Sequence, residues 1–461
     1  MSYTFLSLFS FSMAQQEQSF KVIEVCNIEP FHEPSQSPTS LPLTFFDLLW
    51  LRFPPVQRLF FYELTNSPSF FYETLVPNLK NSLSLTLQLF LPLSGHIVWP
   101  IDSSKPIINY VRGDSVSFTV VESKESFEDL SSNHCEASKR HHLIPLLKTS
   151  HEKASLVSIQ VTLFPNNGFC IGITTHHAAF DGKSSTTFMK SWSYITCSNP
   201  NLENLTPCFD RSVIEDHYNG ISEAYVDVLM NHHGPNNKNL KVWEFTDGLK
   251  NDAVKSLFEL SPSNIQKLKN HAKSEMKMKV INLSTFSVTC AYVISCLAKA
   301  EEPKDEKVSF IFSVDCRTRL EHSISSMYFG NCVVGHIIKL ETKKLMGRDG
   351  FLSALEGINE GLNKVKNGVL DGAENWVHDM LNPEDIFKLY STGGSPRFEV
   401  YDIDFGFGKP KKVDMASTDK TGAFSLSESK NHNGGIEIGL ALNKHEMEAF
   451  STLFVQGLEA I

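Results

Sequence analysis

Between Phe169 and Trp192 the spacing of apolar residues changes character. Cys170 to Thr175 is a short, almost wholly apolar run of the kind that forms a buried strand. His176 and His177 follow, then Ala-Ala-Phe, then Asp181-Gly182. Beyond the glycine, Phe188, Met189 and Trp192 recur at helical spacing, and Ser184 or Ser185 can cap the helix that carries them. Strand, titratable pair, tight turn and helix together project a side chain from a rigid element into a cleft.

The same reading places elements along the rest of the chain. Residues 19–29 alternate as a first strand, closed by a Pro-rich loop through Pro42. Pro54-Pro55 forbids one helix across Leu48–Leu51 and Val56–Tyr62. Leu75, Leu79, Leu83 and Leu87 predict a helix from Phe70 to Leu91, ended by Pro92, with a strand in Leu93–Pro100. Ile107–Tyr110, Val116–Val121 and Ser155–Phe164 read as strands, the last closed by a Pro165-Asn-Asn-Gly168 turn. Cys197 to Asn219 has few apolar pairs and reads as a linker. After it, Ser261-Pro-Ser263 opens a helix, Thr285–Ala300 is a buried helix and Val308–Val314 a strand. A Gly-punctuated stretch covers 392–424, Ile436–Leu442 is a strand, and Lys444–Leu458 an amphipathic helix. The mixture is α+β or mixed α/β, without a strict βαβ rhythm.

Composition narrows the function classes. A chain of 461 residues exceeds one ordinary core, so two domains are expected, 13–196 and 220–461, joined by the 197–219 linker. With 41% hydrophobic and 20% charged residues the chain is of globular type, and no run is long enough to span a membrane. A net charge of −10 argues against nucleic acid or an anionic membrane as partner. Nine scattered cysteines without a CxxC pair fit reduced thiols and the cytosol, rather than a disulfide framework or zinc site. Residues 1–12 lack the basic flank of a signal peptide and read as an extension ahead of Met13.

His177, at the predicted strand end with Asp181 four residues on, has the parts of a general base. A His-His pair at a strand end can equally do no more than satisfy backbone groups. Other catalytic grammars fail. There is no GxSxG elbow, Asp404-Phe-Gly406 lacks the loops of a kinase, and Gly406-Phe-Gly408 lacks the context of a dinucleotide site.

His177-Ala-Ala-Phe-Asp181-Gly resembles the HxxxD motif, and Asp404-Phe-Gly-Phe-Gly408-Lys-Pro the DFGWG motif, of the BAHD acyl-CoA-dependent acyltransferases of plants. Further stretches extend the resemblance nearly end to end: Leu41–Asp47, Leu91–Gly95, Leu283–Phe286, Asp315-Cys-Arg317 and Gly394–Phe398. Tyr328-Phe-Gly-Asn-Cys332 resembles a block of the clade that acylates anthocyanins, flavonoids and other phenolic glycosides, many of them with malonyl-CoA. The resemblance implies a two-domain chloramphenicol-acetyltransferase-like fold with a channel between the domains. It implies His177 as the base that deprotonates a sugar hydroxyl, Asp181 turned to an arginine (Arg317 is the candidate), and Asp404 either as a second catalytic residue or as a structural one. Phe407 stands where the family usually has Trp.

For acyl-CoA, the implied contacts are Ser284, Thr285, Ser395 and Arg397, with Lys267, Lys269, Lys273 and Lys277 either binding phosphate or forming a solvated helix face. Lys183 or Arg397 can supply the cation that a malonyl tail needs. The expected protein is a cytosolic monomer that binds no cofactor permanently, takes acyl-CoA as co-substrate and acylates a phenolic or flavonoid glycoside. A hydroxycinnamoyl donor is the closest alternative; a non-catalytic CoA-binding protein and an acyl-CoA thioesterase are the others.

Overall fold

The computed structural model describes residues 19–31, 37–198, 205–214, 216, 220–243, 252–276, 283–381 and 388–461. Residues 1–18 and Lys277 lie outside these, as do positions 199–204, 215 and 217–219 of the 197–219 linker.

Two large sheets carry the molecule. One has six strands, in the order Phe20–Ile28, Val116–Ser123, Val157–Phe164, Gly168–Thr175, Val56–Glu63, Lys412–Met415. The other has seven: Val333–Glu341, Lys307–Asp315, Lys388–Gly394, Phe424–Glu428, Ile436–Leu442, Val254–Leu260, His134–Glu136. Each places helices on a face. Val76–Leu89 and Gly182–Thr196 pack together beside the first sheet, and Thr285–Glu301 lies against Gly350–Asn367 and Lys444–Glu459 beside the second. The apolar faces of both layers merge in one core.

Most predicted elements form within a residue or two of their expected ends. The helix expected over 70–91 is built from three pieces, Pro68–Phe70, a wide π turn over Phe71–Leu75 and Val76–Leu89. Pro77, which has no N–H to donate, sits at the start of the third piece, where a missing donor costs nothing.

One feature of the topology has no trace in hydrophobic period. Each half lends a strand to the other's sheet. His134–Glu136 pairs with Val254–Ser256, and Lys412–Met415 pairs with Arg58–Phe61. Where these strands cross, Arg140 and Lys255 are enclosed with Asp414 and Asp419. Arg140 pairs with both carboxylates, and Lys255 Nζ lies 3.0 Å from Asp419 and 3.4 Å from Asp414. Two cations facing two carboxylates make the cluster neutral, the condition for burying charge.

Candidate active site

The strand Gly168–Thr175 is central to its sheet, hydrogen-bonded antiparallel to Val157–Phe164 on one side and Val56–Glu63 on the other. All eight of its residues are buried, as its apolar run requires. The strand ends where His176 N–H donates to Leu156 O at 2.9 Å, and a turn follows, Ala179 N–H donating back to His176 O.

The two histidines then part company. His176 is fully buried, its Nδ1 accepts from Ala178 N–H at 3.3 Å, and burial presses its pKa down to about 3. That is the bland role open to a histidine at a strand end. His177 is half-buried and lies flat on the indole of Trp50, centroids 4.1 Å apart and planes within 12°, with the Phe53 ring edge-on at 6.2 Å. Burial lowers its pKa to about 4, with its own carbonyl, Asp181 and Asn331 pulling the other way. At neutral pH the imidazole is therefore uncharged, the form that accepts a proton. The Trp50 face would steady the imidazolium once formed.

The backbone beneath the ring is held by Asn331. Its Nδ2 donates to His177 O at 2.9 Å and to Asp47 Oδ1 at 3.0 Å, and its backbone N–H donates to that same oxygen at 3.1 Å. Asp47 Oδ2 is taken by Thr44 N–H and Oγ1–H, both at 2.9 Å.

Asp181 turns away from His177. Its Oδ1 accepts from Ser184 N–H at 2.9 Å, which makes Asp181 the N-cap of Gly182–Thr196; the expected cap at Ser184 or Ser185 is corrected, since both lie inside the helix. Its Oδ2 accepts from Arg317 Nη1 at 2.8 Å and from Cys332 N–H at 3.1 Å. Arg317 Nη2 also reaches the carbonyls of Tyr328 and Gly330 and the hydroxyl of Ser184. Burial works against the guanidinium's charge, and the Asp181 and Asp315 carboxylates more than restore it.

Asp404 is not brought to this place. Its Oδ1 accepts from the backbone N–H groups of Gly406, Phe407 and Gly408 at 2.7, 3.0 and 2.9 Å. Positive φ at Gly406 (93°) and Gly408 (87°) lets three N–H groups converge on one oxygen. Phe407 packs on Phe169, and Phe405 on Trp192 and Tyr62. Phe169 begins the strand that His177 follows, so six steps of strand, roughly 20 Å, separate the motif from the base. Of the two roles open to Asp404, this geometry fits the structural one: its carboxylate is engaged in tying its own loop.

The expected CoA contacts divide. Ser284 caps Thr285–Glu301 by accepting from Ser287 N–H, and Thr285 Oγ1 accepts from Lys269 Nζ at 3.3 Å, so Ser284, Thr285 and Lys269 stand together. Lys267 is exposed and, two residues from Lys269 on one helix, points elsewhere, which removes it from that group. Ser395 accepts from Arg397 N–H at 3.2 Å and opens the turn Pro396–Phe398, with Arg397 exposed. This turn meets the first turn of Gly182–Thr196, where Lys183 is half-buried: a Cβ on Gly182 would come within 2.8 Å of the Phe398 ring. Thus Arg397 and Lys183 sit on two segments in contact. Trp50 and Asn331 have no signal in the motifs that would assign them to the base, although Trp50 lies in an aromatic-rich run and Asn331 inside Tyr328–Cys332.

Two sheets that exchange strands, with His177 at the end of a central strand, make a fold of the chloramphenicol-acetyltransferase class. The crystal structure of vinorine synthase superposes with a TM-score of 0.68 at 20% identity, covering 93% of this chain and 96% of that one. The profile described as "Transferase family" matches residues 21–456. Phenolic glucoside malonyltransferase 1 of Arabidopsis thaliana is 38% identical over 467 residues, covering 96% of this chain and 99% of the relative. A malonyl-coenzyme:anthocyanin 5-O-glucoside-6'''-O-malonyltransferase of Salvia splendens is 37% identical, covering 94% of each. The chain belongs to this transferase family, the BAHD acyl-CoA-dependent O-acyltransferases. Among the described residues no group of side chains is placed to hold a metal ion, and no helix is long and apolar enough to cross a membrane.

Proposed function

We propose that this protein, a monomer of the cytosol, moves a malonyl group from malonyl-CoA to a sugar hydroxyl of a phenolic or flavonoid glycoside, with His177 as general base. The observation that carries the reading is the placement of His177: just past the end of a central strand, flat on Trp50, with Asp181 turned to Arg317 rather than to the ring. In the reaction a nitrogen of His177 takes the hydroxyl proton as the sugar oxygen attacks the thioester carbonyl. The tetrahedral intermediate collapses, the C–S bond breaks, and the departing thiolate takes the proton back from the imidazolium. No side chain becomes acylated, in keeping with the lack of a nucleophile motif.

Lys183 and Arg397 are the cations available to a malonyl carboxylate, and the 37–38% identical relatives are named for malonyl transfer to glucosides. The aromatic rings beside His177 favour a second reading, a hydroxycinnamoyl donor on the same acceptors. Free-thiol release from malonyl-CoA and from p-coumaroyl-CoA, with and without phenolic glucosides, separates the two. Acceptor-dependent release from malonyl-CoA, lost in His177→Ala, supports the first; release from the aromatic donor alone supports the second; release from either donor without any acceptor defeats both.

A further inference from the structure

The rings around His177 continue beyond it. Trp50 covers the imidazole, Phe53 stands edge-on to Trp50 with centroids 5.0 Å apart, and Trp243 lies 6.1 Å from Phe53. His232 follows, 5.9 Å from Trp243. Trp50, Phe53, Trp243 and His232 are all half-buried, and neither Phe53 nor Trp243 is a member of a buried core. A row of large rings that leaves the core and runs outward from a reactive side chain is a surface built for contact rather than for folding.

The outer ring is anchored firmly. Trp243 N–H donates to Arg52 O at 2.8 Å. The Arg52 guanidinium, almost wholly buried, gives Nε to Asn239 O at 3.0 Å and Nη2 to Asn237 O at 2.7 Å. Both of these charged donors are directed to the backbone of 237–239, which fixes the approach of Trp243 to the turn that carries Trp50 and Phe53. The backbone that leads into Trp243 is thus fixed at residues 237, 239 and 243, which presets the position of the ring.

We propose that Phe53 and Trp243 form the subsite for the acceptor's aglycone, and that Trp243 sets the preference for a planar aromatic one. The proposal rests on the functional reading above and deepens it. The reacting sugar oxygen must meet His177, and the aglycone is attached on the far side of that sugar. The ring pair one step beyond Trp50 stands where a flat aglycone arrives, and stacking against it selects planar rings over alkyl groups.

The test is steady-state kinetics with saturating malonyl-CoA and three acceptors: a flavonoid glucoside, a monocyclic phenyl glucoside and an alkyl glucoside. Wild type, Trp243→Leu and Trp243→Phe are compared. Wild-type turnover that requires a glucoside establishes the functional reading independently of the variants, and its absence defeats that reading rather than the subsite. The proposal expects Trp243→Leu to lower kcat/KM for the flavonoid glucoside by about tenfold or more through KM. The alkyl glucoside and the KM for malonyl-CoA stay unchanged, and Trp243→Phe recovers most of the loss. An equal fall for all three acceptors, or a fall in kcat alone, assigns Trp243 to shielding or folding and overturns the proposal; so does an unchanged KM for the flavonoid glucoside.

Discussion

Replacing Arg317 with Met removes the only side-chain cation bonded to Asp181 among the described residues while keeping an unbranched apolar stem in its place. In the native protein both partners are about 1% exposed at the side chain. The variant leaves the Asp181 carboxylate buried, still accepting from Ser184 and Cys332 N–H but with no cation bonded to it, the buried Arg211 acting only at longer range. It also strips the Tyr328 and Gly330 carbonyls of a charged donor. Breaking a buried pair from one side costs about 3–5 kcal/mol. Arg317→Met should lose that much, read as a lower midpoint at an unchanged slope in urea unfolding. Because Asp181 caps the helix next to the His177 turn, the folded fraction should also show kcat reduced by about a hundredfold, the cost of an ångström-scale misplacement. Adding Asp181→Asn removes the unbalanced charge and should recover part of the stability, giving a coupling of more than 1 kcal/mol in a double-mutant cycle. A loss below about 1 kcal/mol for Arg317→Met, or strict additivity with Asp181→Asn, would refute the view that this pair holds the loop.

Three other outcomes can be checked directly. His177→Ala should leave the unfolding midpoint close to wild type and reduce acceptor-dependent thiol release by about 10²–10⁴-fold; retained activity would remove the general base from His177. Asp404→Ala deletes three hydrogen bonds to one carboxylate oxygen, so it should cost about 2–4 kcal/mol in denaturant unfolding yet keep kcat within about threefold at a temperature where it is folded, and a large loss of kcat at native stability would return Asp404 to the chemistry. His142, His176 and His177 all have burial-lowered pKa values, at about 4, 3 and 4, against about 6.5 in the unfolded chain. The unfolded state then binds more protons, so their stabilising contribution is present above about pH 6.5. It is lost as pH falls towards 4, each histidine steepening the decline by about 1.4 kcal/mol per pH unit in that window. Unfolding midpoints that stay flat from pH 7 to 5 would contradict the burial of all three.

Local chemistry carried much of this architecture. Val157–Phe164 and Gly168–Thr175 announce themselves by apolar run and turn residues, and Ser261-Pro262 opens its helix by capping, because strand burial and helix capping depend on residues close in sequence. The strand-end histidine was legible for the same reason: a polar pair directly after an apolar run marks where the buried strand ends. Even so, the cap of the following helix was not. Asp181 outcompeted Ser184 and Ser185 because its carboxylate could meet both the first turn and Arg317, a residue far along the chain.

Apart from the Asp181–Arg317 pair, which the family resemblance implied, the long-range contacts had no signal in the sequence. A short strand such as Lys412–Met415 looks the same whichever sheet it joins; its place is settled by pairing with Arg58–Phe61 and by the neutral cluster of Arg140, Lys255, Asp414 and Asp419. Asp404 stands in a catalytic-looking motif, yet roughly six steps of strand hold its loop away from His177. Trp50 and Asn331, which support the ring and the backbone of His177, come from segments far apart in sequence. Residue type and period select local geometry, since those forces act within a few positions. The company a side chain keeps follows from packing both sheets at once, when buried polar groups take whichever partners close packing leaves within reach.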